Sequence, residues 1–260
     1  MALEPIKFED GVAYERMMGV WSQLVGSKFL KWLSPQKGQS WIDVGCGNGA
    51  FTEQIVRHCS PRKVQGIDPS EAQIAFASNR KGARKAVFQM GDAMALPFAI
   101  DYFDAATMAL VIFFVPDPAL GVAEMKRVVR PGGSVAAYAW DVFGGGVPTA
   151  PITAALRASN ITYPLPPSVN ASRMEVLRSL WVDAGLQSVE TSVITVERTF
   201  INFEELWSTN ALSPTLKPVL AELPENTISQ LQNAVRERFP ADAEGQITYS
   251  SHANAIKGLV

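Results

Sequence analysis

Residues 41–50 have the sequence WIDVGCGNGA, in which a short apolar run is followed by three glycines at alternate positions, Gly45, Gly47 and Gly49. Glycine adopts positive φ angles readily and lets a backbone approach a ligand closely. The N-terminus of a helix carries a partial positive charge. The stretch therefore predicts a buried strand, a ligand-binding turn and a helix that begins near Ala50.

Asp43, two residues before the turn, bears on the kind of ligand. In dinucleotide-binding enzymes a strand, a glycine turn and a helix in this order hold a pyrophosphate group. A carboxylate beside the turn would repel phosphate, whereas it suits a cationic amino-acid group. The spacing of Gly45, Gly47 and Gly49 also differs from the G-x-G-x-x-G spacing of those enzymes.

Two further acidic residues follow the next two predicted strands. Asp68 comes after the strand predicted at 63–67, where a carboxylate is placed to accept hydrogen bonds from ribose hydroxyls. Asp92 lies in the segment Gly91-Asp92-Ala93, after the strand predicted at 86–89. This segment offers a carboxylate for an adenine amino group and a backbone N–H for a ring nitrogen.

Strand and helix patterns alternate from residue 40 to residue 140. Helices are predicted at 50–59, 70–80 and 118–129, and strands at 40–44, 63–67, 86–89, 102–109 and 134–140, with later strands at 189–200 and 246–257. Such alternation implies parallel βαβ units. The predicted fold class is α/β: a doubly wound, Rossmann-like, mostly parallel seven-stranded sheet with helices on both faces, plus a helical cap.

Interruptions of this alternation predict the domain organisation. An amphipathic pattern before the first strand predicts an N-terminal helical lid at 1–35. The Rossmann-like core is predicted at 36–200 and 246–260. Within it, the glycine- and proline-rich stretch 142–172 contains a cap insertion, and residues 201–245 form a helical cap insertion.

Composition excludes several classes of function. The chain has 260 residues, 23 basic and 25 acidic side chains, and no long basic run, which argues against a nucleic-acid partner. Two cysteines are too few for a disulfide framework, and no metal-ligand motif is present, so we expect a cytoplasmic protein without a metal. Neither a signal peptide nor an apolar run of membrane-spanning length is expected.

The motifs together resemble those of the class I S-adenosylmethionine-dependent methyltransferases. They are most similar to the bacterial small-molecule branch that includes the ubiquinone/menaquinone-biosynthesis type. Further matches are LPF at 96–98, FDA at 103–105, VPDP at 115–118 and EMKRVVRPGG at 124–133. The resemblance covers residues 40–141 well and the rest of the chain poorly.

This resemblance implies an S-adenosylmethionine site. The residues implied at the amino-acid end of the cofactor are Asp43, Gly45, Cys46, Gly47, Ala109 and Leu110. Those implied at the ribose and adenine are Asp68, Pro69, Ser70, Asp92 and Ala93. An N-terminal helix often covers the cofactor in this family, which implicates Tyr14, Met18 and Trp21.

Plainer roles stay open for several of these residues. Asp68 could cap the following helix, Asp92 could stabilise a turn, and Cys46 is more readily explained as a small buried residue than as a nucleophile. Tyr14, Met18 and Trp21 have helical spacing, so packing against the protein core would also explain them.

The expected reaction is methyl transfer to a small, partly apolar molecule by in-line displacement. No catalytic base is named, because Asp117, Tyr138 and Asp141 each have an ordinary structural explanation. Two alternatives remain: a dinucleotide-dependent oxidoreductase, and a non-catalytic S-adenosylmethionine-binding protein on the same fold. The sequence leaves open the substrate, the methylated atom and the oligomeric state.

Overall fold

A seven-stranded sheet organises the chain in the computed structural model, which describes residues 15–260. The strands are Ser40–Val44 (β1), Lys63–Asp68 (β2), Ala86–Met90 (β3), Phe103–Ala109 (β4), Val129–Trp140 (β5), Gln187–Phe200 (β6) and Ile247–Leu259 (β7). Their order is β3-β2-β1-β4-β5-β7-β6. Strands β1 to β5 are parallel, and β7 runs antiparallel to both β5 and β6. The predicted mostly parallel seven-stranded sheet is confirmed.

Nine α-helices lie in the described residues. They are Val20–Leu33 (α1), Ala50–His58 (α2), Glu71–Ser78 (α3), Pro118–Val128 (α4), Ala150–Ala158 (α5), Met174–Asp183 (α6), Phe203–Ala211 (α7), Lys217–Ala221 (α8) and Glu225–Arg238 (α9). A turn of π-helix, Glu15–Gly19, precedes α1. Side chains that accept backbone N–H groups start three of these helices: Ser70, Asp117 and Asn202.

Alternating residues of the strands supply two hydrophobic cores, one on each face of the sheet. In β1, Trp41 packs with α1 and α2 on one face, and Ile42 packs with α4 and α6 on the other. The Trp181 Nε1–H on α6 also donates to the Val135 carbonyl at 2.9 Å, which fixes this helix against β5. Helices therefore cover both faces, as the doubly wound pattern predicts.

Prolines account for one difference from the predicted elements. The sequence suggests helices at 215–239 that Pro218 and Pro224 interrupt. Pro218 instead lies in the first turn of α8, where its missing N–H costs no hydrogen bond, and Pro224 immediately precedes α9. Both prolines therefore begin helices.

The strand order places a crevice beside β1. From β1 the chain proceeds outwards to β2 and β3 on one side, and it then crosses back to add β4 and β5 on the other side, so the strand order reverses at β1. Ligands of open α/β sheets bind at such a switch point, beyond the carboxyl ends of the strands. In the described part of the chain, no helix has the length and apolar character needed to cross a membrane.

Candidate active site

The glycine turn between β1 and α2 has the geometry that its sequence predicts. Gly45, Gly47 and Gly49 have φ angles of 72°, 50° and 78°. The N–H groups of Gly45 and Cys46 both donate to the Ile67 carbonyl, at 2.8 and 2.9 Å. These bonds hold the turn against the end of β2 and leave its outer surface facing the crevice.

Asp68 fastens the same turn through its side chain. Its Oδ2 accepts the Gly47 N–H and its Oδ1 accepts the Ser70 N–H, each at 2.9 Å. Burial raises the pKa of this carboxyl, and the two N–H donors oppose that effect. Ser70, not Asp68, is the N-cap of α3. Asp68 therefore does not cap the helix, but its carboxylate holds the backbone at Gly47 and Ser70 in place.

Asp43 is completely buried and only half satisfied. Its Oδ2 accepts the Thr52 hydroxyl at 2.6 Å, whereas its Oδ1 has no protein partner. Burial raises the pKa of Asp43 to about 7; the Thr52 hydrogen bond lowers it, and the charge of Asp68 raises it further. A buried carboxylate oxygen without a partner is costly, so Asp43 is a candidate to bind a cationic or hydrogen-bond-donating group of a ligand.

A cavity of about 400 Å³ lies over the turn. Nine of the sequence-predicted residues line it: Asp43, Gly45, Cys46, Gly47, Asp68, Pro69, Ser70, Ala109 and Leu110. The lining also includes residues that the sequence reasoning did not assign to the cofactor: Ser22, Asn48, Ala50, Phe51, Gln73, Val111, Phe114 and Tyr138. Asn48 and Ala50 could have been found, because both belong to the glycine-turn stretch itself.

The prediction that Trp21 covers the cofactor is not what the structure has. Its side chain is fully buried and packs against Trp140, Phe200 and Tyr249, with ring centroids 5.2–6.5 Å away, and it does not line the cavity over the turn. Trp21 is therefore a core residue, as the packing alternative has it, and its neighbour Ser22 lines the cavity over the turn instead. Tyr14, the other predicted lid residue, lies outside the described residues.

Asp92 and Ala93 lie near the site without lining the cavity. Asp92 follows β3 and is exposed, and its Oδ1 accepts the Met94 N–H at 2.8 Å. Ala93 packs partly against the core beneath the sheet. Asp92 thus stabilises a turn, and its role in binding adenine stays a prediction.

Cys46 is placed in the wall without the features of a nucleophile. Its side chain is 6% exposed, and burial, assisted by the charges of Asp43 and Asp68, raises the pKa of its thiol. A reactive cysteine needs a stabilised thiolate. This environment favours the neutral thiol, so Cys46 serves as a small buried wall residue.

A second cavity, of about 100 Å³, adjoins the first. Leu110 and Phe114 line both cavities. The other lining residues come from the N-terminal segment, the segment after β4, the end of β5, α5 and three loops: Met17, Met18, Phe113, Trp140, Val142, Gly145, Val147, Thr149, Ala150, Thr153, Arg157, Tyr163, Pro164, Leu165, Pro166, Ser213, Pro214 and Thr215. The surface is mainly apolar and suits an apolar molecule next to the first cavity.

Leu110, at the junction, has an unusual backbone. It lies just after β4 with φ 62°, and its N–H donates to the Tyr138 carbonyl at 2.8 Å. Left-handed backbone at a non-glycine residue costs about 1 kcal/mol or more and clusters at functional sites. The conformation turns the chain out of the strand between the two cavities.

An acidic, glycine-rich crevice at the switch point of a doubly wound sheet is the arrangement of a nucleotide-type ligand site, and here an apolar cavity adjoins it. Residues 42–137 match the family model described as Methyltransferase domain. The Haemonchus contortus phosphoethanolamine N-methyltransferase 2, solved with phosphomonomethylethanolamine and S-adenosylhomocysteine, aligns with a TM-score of 0.59 and 19% identity, over 95% of this chain and 56% of that chain.

Two curated relatives are similar to part of the chain. The 2-methyl-6-phytyl-1,4-hydroquinone methyltransferase of Spinacia oleracea is 39% identical over 92 residues, which are 35% of this chain and 27% of that protein. The demethylmenaquinone methyltransferase of Staphylococcus aureus is 35% identical over 118 residues, 45% of this chain and 47% of that protein. The chain thus spans less than half the length of these relatives. Residues 42–137 are thus similar to a methyltransferase domain, and the sheet has the class I methyltransferase fold that the motifs predict.

Proposed function

We propose that the protein transfers the methyl group of S-adenosylmethionine to a small, partly apolar acceptor. The observation that carries this proposal is the pairing of two cavities across Leu110 and Phe114. One has an acidic wall and a glycine turn, and the other is mainly apolar. Such a pair allows a charged donor and an apolar acceptor to meet at a shared boundary.

The residues of the first cavity fit the cofactor. Asp43 offers its unpartnered Oδ1 to the cationic amino group, and Asp68 offers the remaining lone pairs of its carboxylate to ribose hydroxyls. The glycines let the backbone lie close to the amino-acid part. When bound, the sulfonium supplies an activated methyl group, so the protein contributes chiefly by holding donor and acceptor in line.

Positioning is a sufficient source of catalysis for such a reaction. Holding two reactants in a reactive geometry can lower a barrier by roughly 7–11 kcal/mol. The three side chains considered as bases have other roles. Asp117 caps α4, and Asp141 Oδ2 lies 3.4 Å from His252 Nε2 and lines neither cavity. Tyr138 lines the first cavity, but its ring is packed between Phe29 and Phe51. We therefore assign no catalytic base, and propose that the acceptor reacts through an atom that is already nucleophilic.

The predicted domain division stays a proposal. Within the described residues, α1 packs into the core with Trp41, while Met17 and Met18, just before it, line the second cavity. We propose a lid at 1–35, the core at 36–200 and 246–260 with a cap insertion in 142–172, and a helical cap at 201–245. These segments meet at the second cavity, which we call the acceptor cavity; their lining residues include Met17, Met18, Thr149, Tyr163 and Ser213. We also propose a cytoplasmic location, which agrees with the two free, buried thiols. The near-neutral charge agrees with a small-molecule partner and no nucleic acid.

Labelled S-adenosylmethionine incubated with the protein and fractionated metabolites tests the proposed reaction. Transfer of label to a defined small molecule is expected. Binding of S-adenosylhomocysteine without transfer to any fraction would support the non-catalytic alternative. Binding of a nicotinamide dinucleotide, with none of S-adenosylhomocysteine, would support the oxidoreductase alternative.

Replacing Asp68 with alanine should weaken binding of S-adenosylhomocysteine about 10- to 150-fold, because losing hydrogen bonds to a charged group costs ~1.5–3 kcal/mol. Isothermal titration calorimetry measures the change. Asp183→Ala, at an exposed position on α6, is the matched control and should bind normally. Unchanged affinity in a folded Asp68→Ala protein would contradict the ribose role.

Methyl transfer should continue in the presence of EDTA. Among residues 15–260, no group of three His, Cys, Asp or Glu side chains is arranged to hold a metal ion, and a methyl sulfonium needs no Lewis acid to react. Initial rates with and without the chelator provide the measurement. Loss of activity that a divalent ion restores would show that the reaction depends on a metal.

A further inference from the structure

Helix α5 presents a polar stripe to the acceptor cavity. Thr149, Thr153 and Arg157 are four residues apart, and all three line that cavity. Residues spaced by four lie on the same side of a helix. The two threonines are buried, whereas Arg157 is exposed near the end of the helix. The stripe therefore runs from the enclosed part of the cavity towards solvent.

The charge of this stripe is unbalanced. Arg157 is the only charged side chain in the described lining, which contains no carboxylate. Other arginines of the protein, such as Arg80 and Arg127, form close ion pairs with glutamates. Within the described residues, Arg157 has no ion pair and no side-chain hydrogen bond. A guanidinium at the edge of an apolar cavity favours a ligand that brings its own anion.

The position of Arg157 indicates which part of the ligand would carry that anion. Leu110 and Phe114 line both cavities, whereas Arg157 lines only the acceptor cavity. Along α5, eight residues separate Thr149 from Arg157, a distance of about 12 Å at 1.5 Å per residue. Two fused rings that carry an acidic group come close to this length.

We propose that the acceptor is an apolar, ring-containing molecule with an acidic group, and that Arg157 binds this acidic group at the outer end of the cavity. The inference rests on the proposed function, because it assigns the second cavity to the methyl acceptor. Thr153, one helical turn away, provides a polar contact along the same side. The acidic group and the methylated atom then lie at opposite ends of the acceptor.

A matched pair of probes tests this inference with the protein saturated with S-adenosylhomocysteine. The probes are 2-naphthoate and 2-naphthamide, which share a ring system and differ in charge. Calorimetry should show about tenfold tighter binding of the carboxylate, the size expected for one charge-assisted hydrogen bond near the surface. Arg157→Gln should remove this preference, and Arg157→Lys, which keeps the charge, should restore part of it.

Arg178→Gln is the control, because Arg178 is exposed on α6 and does not line the cavity. It should keep the preference for the carboxylate. Absence of naphthoate binding, equal binding of both probes, or a preference that survives Arg157→Gln would overturn the inference. Binding of S-adenosylhomocysteine itself is measured in the same series. Its failure would instead contradict the proposed function, so the two failures are distinguishable.

Discussion

Gly45→Ala should abolish measurable binding of S-adenosylhomocysteine and lower the melting temperature. A Cβ at residue 45 would lie 2.4 Å from Val111 Cγ1 and 2.6 Å from its Cγ2, well inside van der Waals contact. The φ angle of 72° adds backbone strain. Strain and overpacking each cost ~1–3 kcal/mol. Because Gly45 and Val111 both line the cofactor cavity, any relief by movement also deforms the binding surface.

Two further variants separate the causes of this effect. Gly38 has a φ angle of 76°, but nothing lies within 4 Å of a Cβ placed there, so Gly38→Ala tests strain alone and should cost about 1 kcal/mol without loss of binding. Val111→Ala in the Gly45→Ala background removes both clashing methyl groups and should recover part of the stability. Normal cofactor binding by Gly45→Ala would show that the turn is not held against the ligand.

The glycine-turn site could be predicted from the sequence because its geometry is local. Alternate glycines after an apolar run specify both the strand end and the positive φ angles at Gly45, Gly47 and Gly49. Asp68 needed one further step, since parallel strands end at the same edge of a sheet. Its contact with the Gly47 N–H follows from that shared edge.

Trp21 shows where such reasoning ends. A helical period shows that one side of a helix is covered, but it does not distinguish coverage by ligand from coverage by protein. The rings that cover Trp21 come from β5, β6 and β7. Their approach depends on how the sheet is assembled, which no local pattern records.

The acceptor cavity lay beyond prediction for the same reason. Its lining comes from the N-terminal segment, the β4 and β5 ends, α5 and the loops near residues 163 and 213. The sequence indicated which segments form the lid and the cap insertions, but not how they meet. The four-residue spacing of Thr149, Thr153 and Arg157 is visible in the sequence, but the direction in which this side of α5 points is not.

Asp43→Asn should make the ligand-free protein more stable at pH 8 and make it bind S-adenosylhomocysteine more weakly. Burial raises the pKa of Asp43 to about 7 from an ordinary value of 3.8. Below the ordinary value both the folded and the unfolded chain hold the proton, and the free energy of unfolding is not affected. As the pH rises towards 7, the unfolded chain releases the proton first, so the folded state loses stability.

Above pH 7 the cost of the buried charge is complete and amounts to a few kcal/mol, at about 1.4 kcal/mol per pKa unit. Asparagine has nearly the same shape and no charge, so the gain in stability of Asp43→Asn should be largest at pH 8 and vanish near pH 4. Binding of the ligand should make the charged form of Asp43 the favoured one. A cationic amino group near Asp43 favours the carboxylate, and wild-type affinity for S-adenosylhomocysteine should increase as the pH rises through 7.

Asp104→Asn is the control with the opposite sign. Burial alone would raise the pKa of Asp104, but the Ser40 N–H and the cations Arg130 and Arg62 outweigh it and lower the pKa. Asp104 therefore stabilises the fold at neutral pH and loses this effect in acid, so Asp104→Asn should be less stable than wild type at pH 8.

Thermal unfolding of the three proteins at pH 4.5 and pH 8, with and without S-adenosylhomocysteine, provides the measurements. An Asp43→Asn protein that is less stable than wild type at pH 8, or that binds the ligand equally well, would show that Asp43 is a structural hydrogen-bonding residue. Greater stability combined with weaker binding would show that the fold keeps a costly buried charge for its ligand.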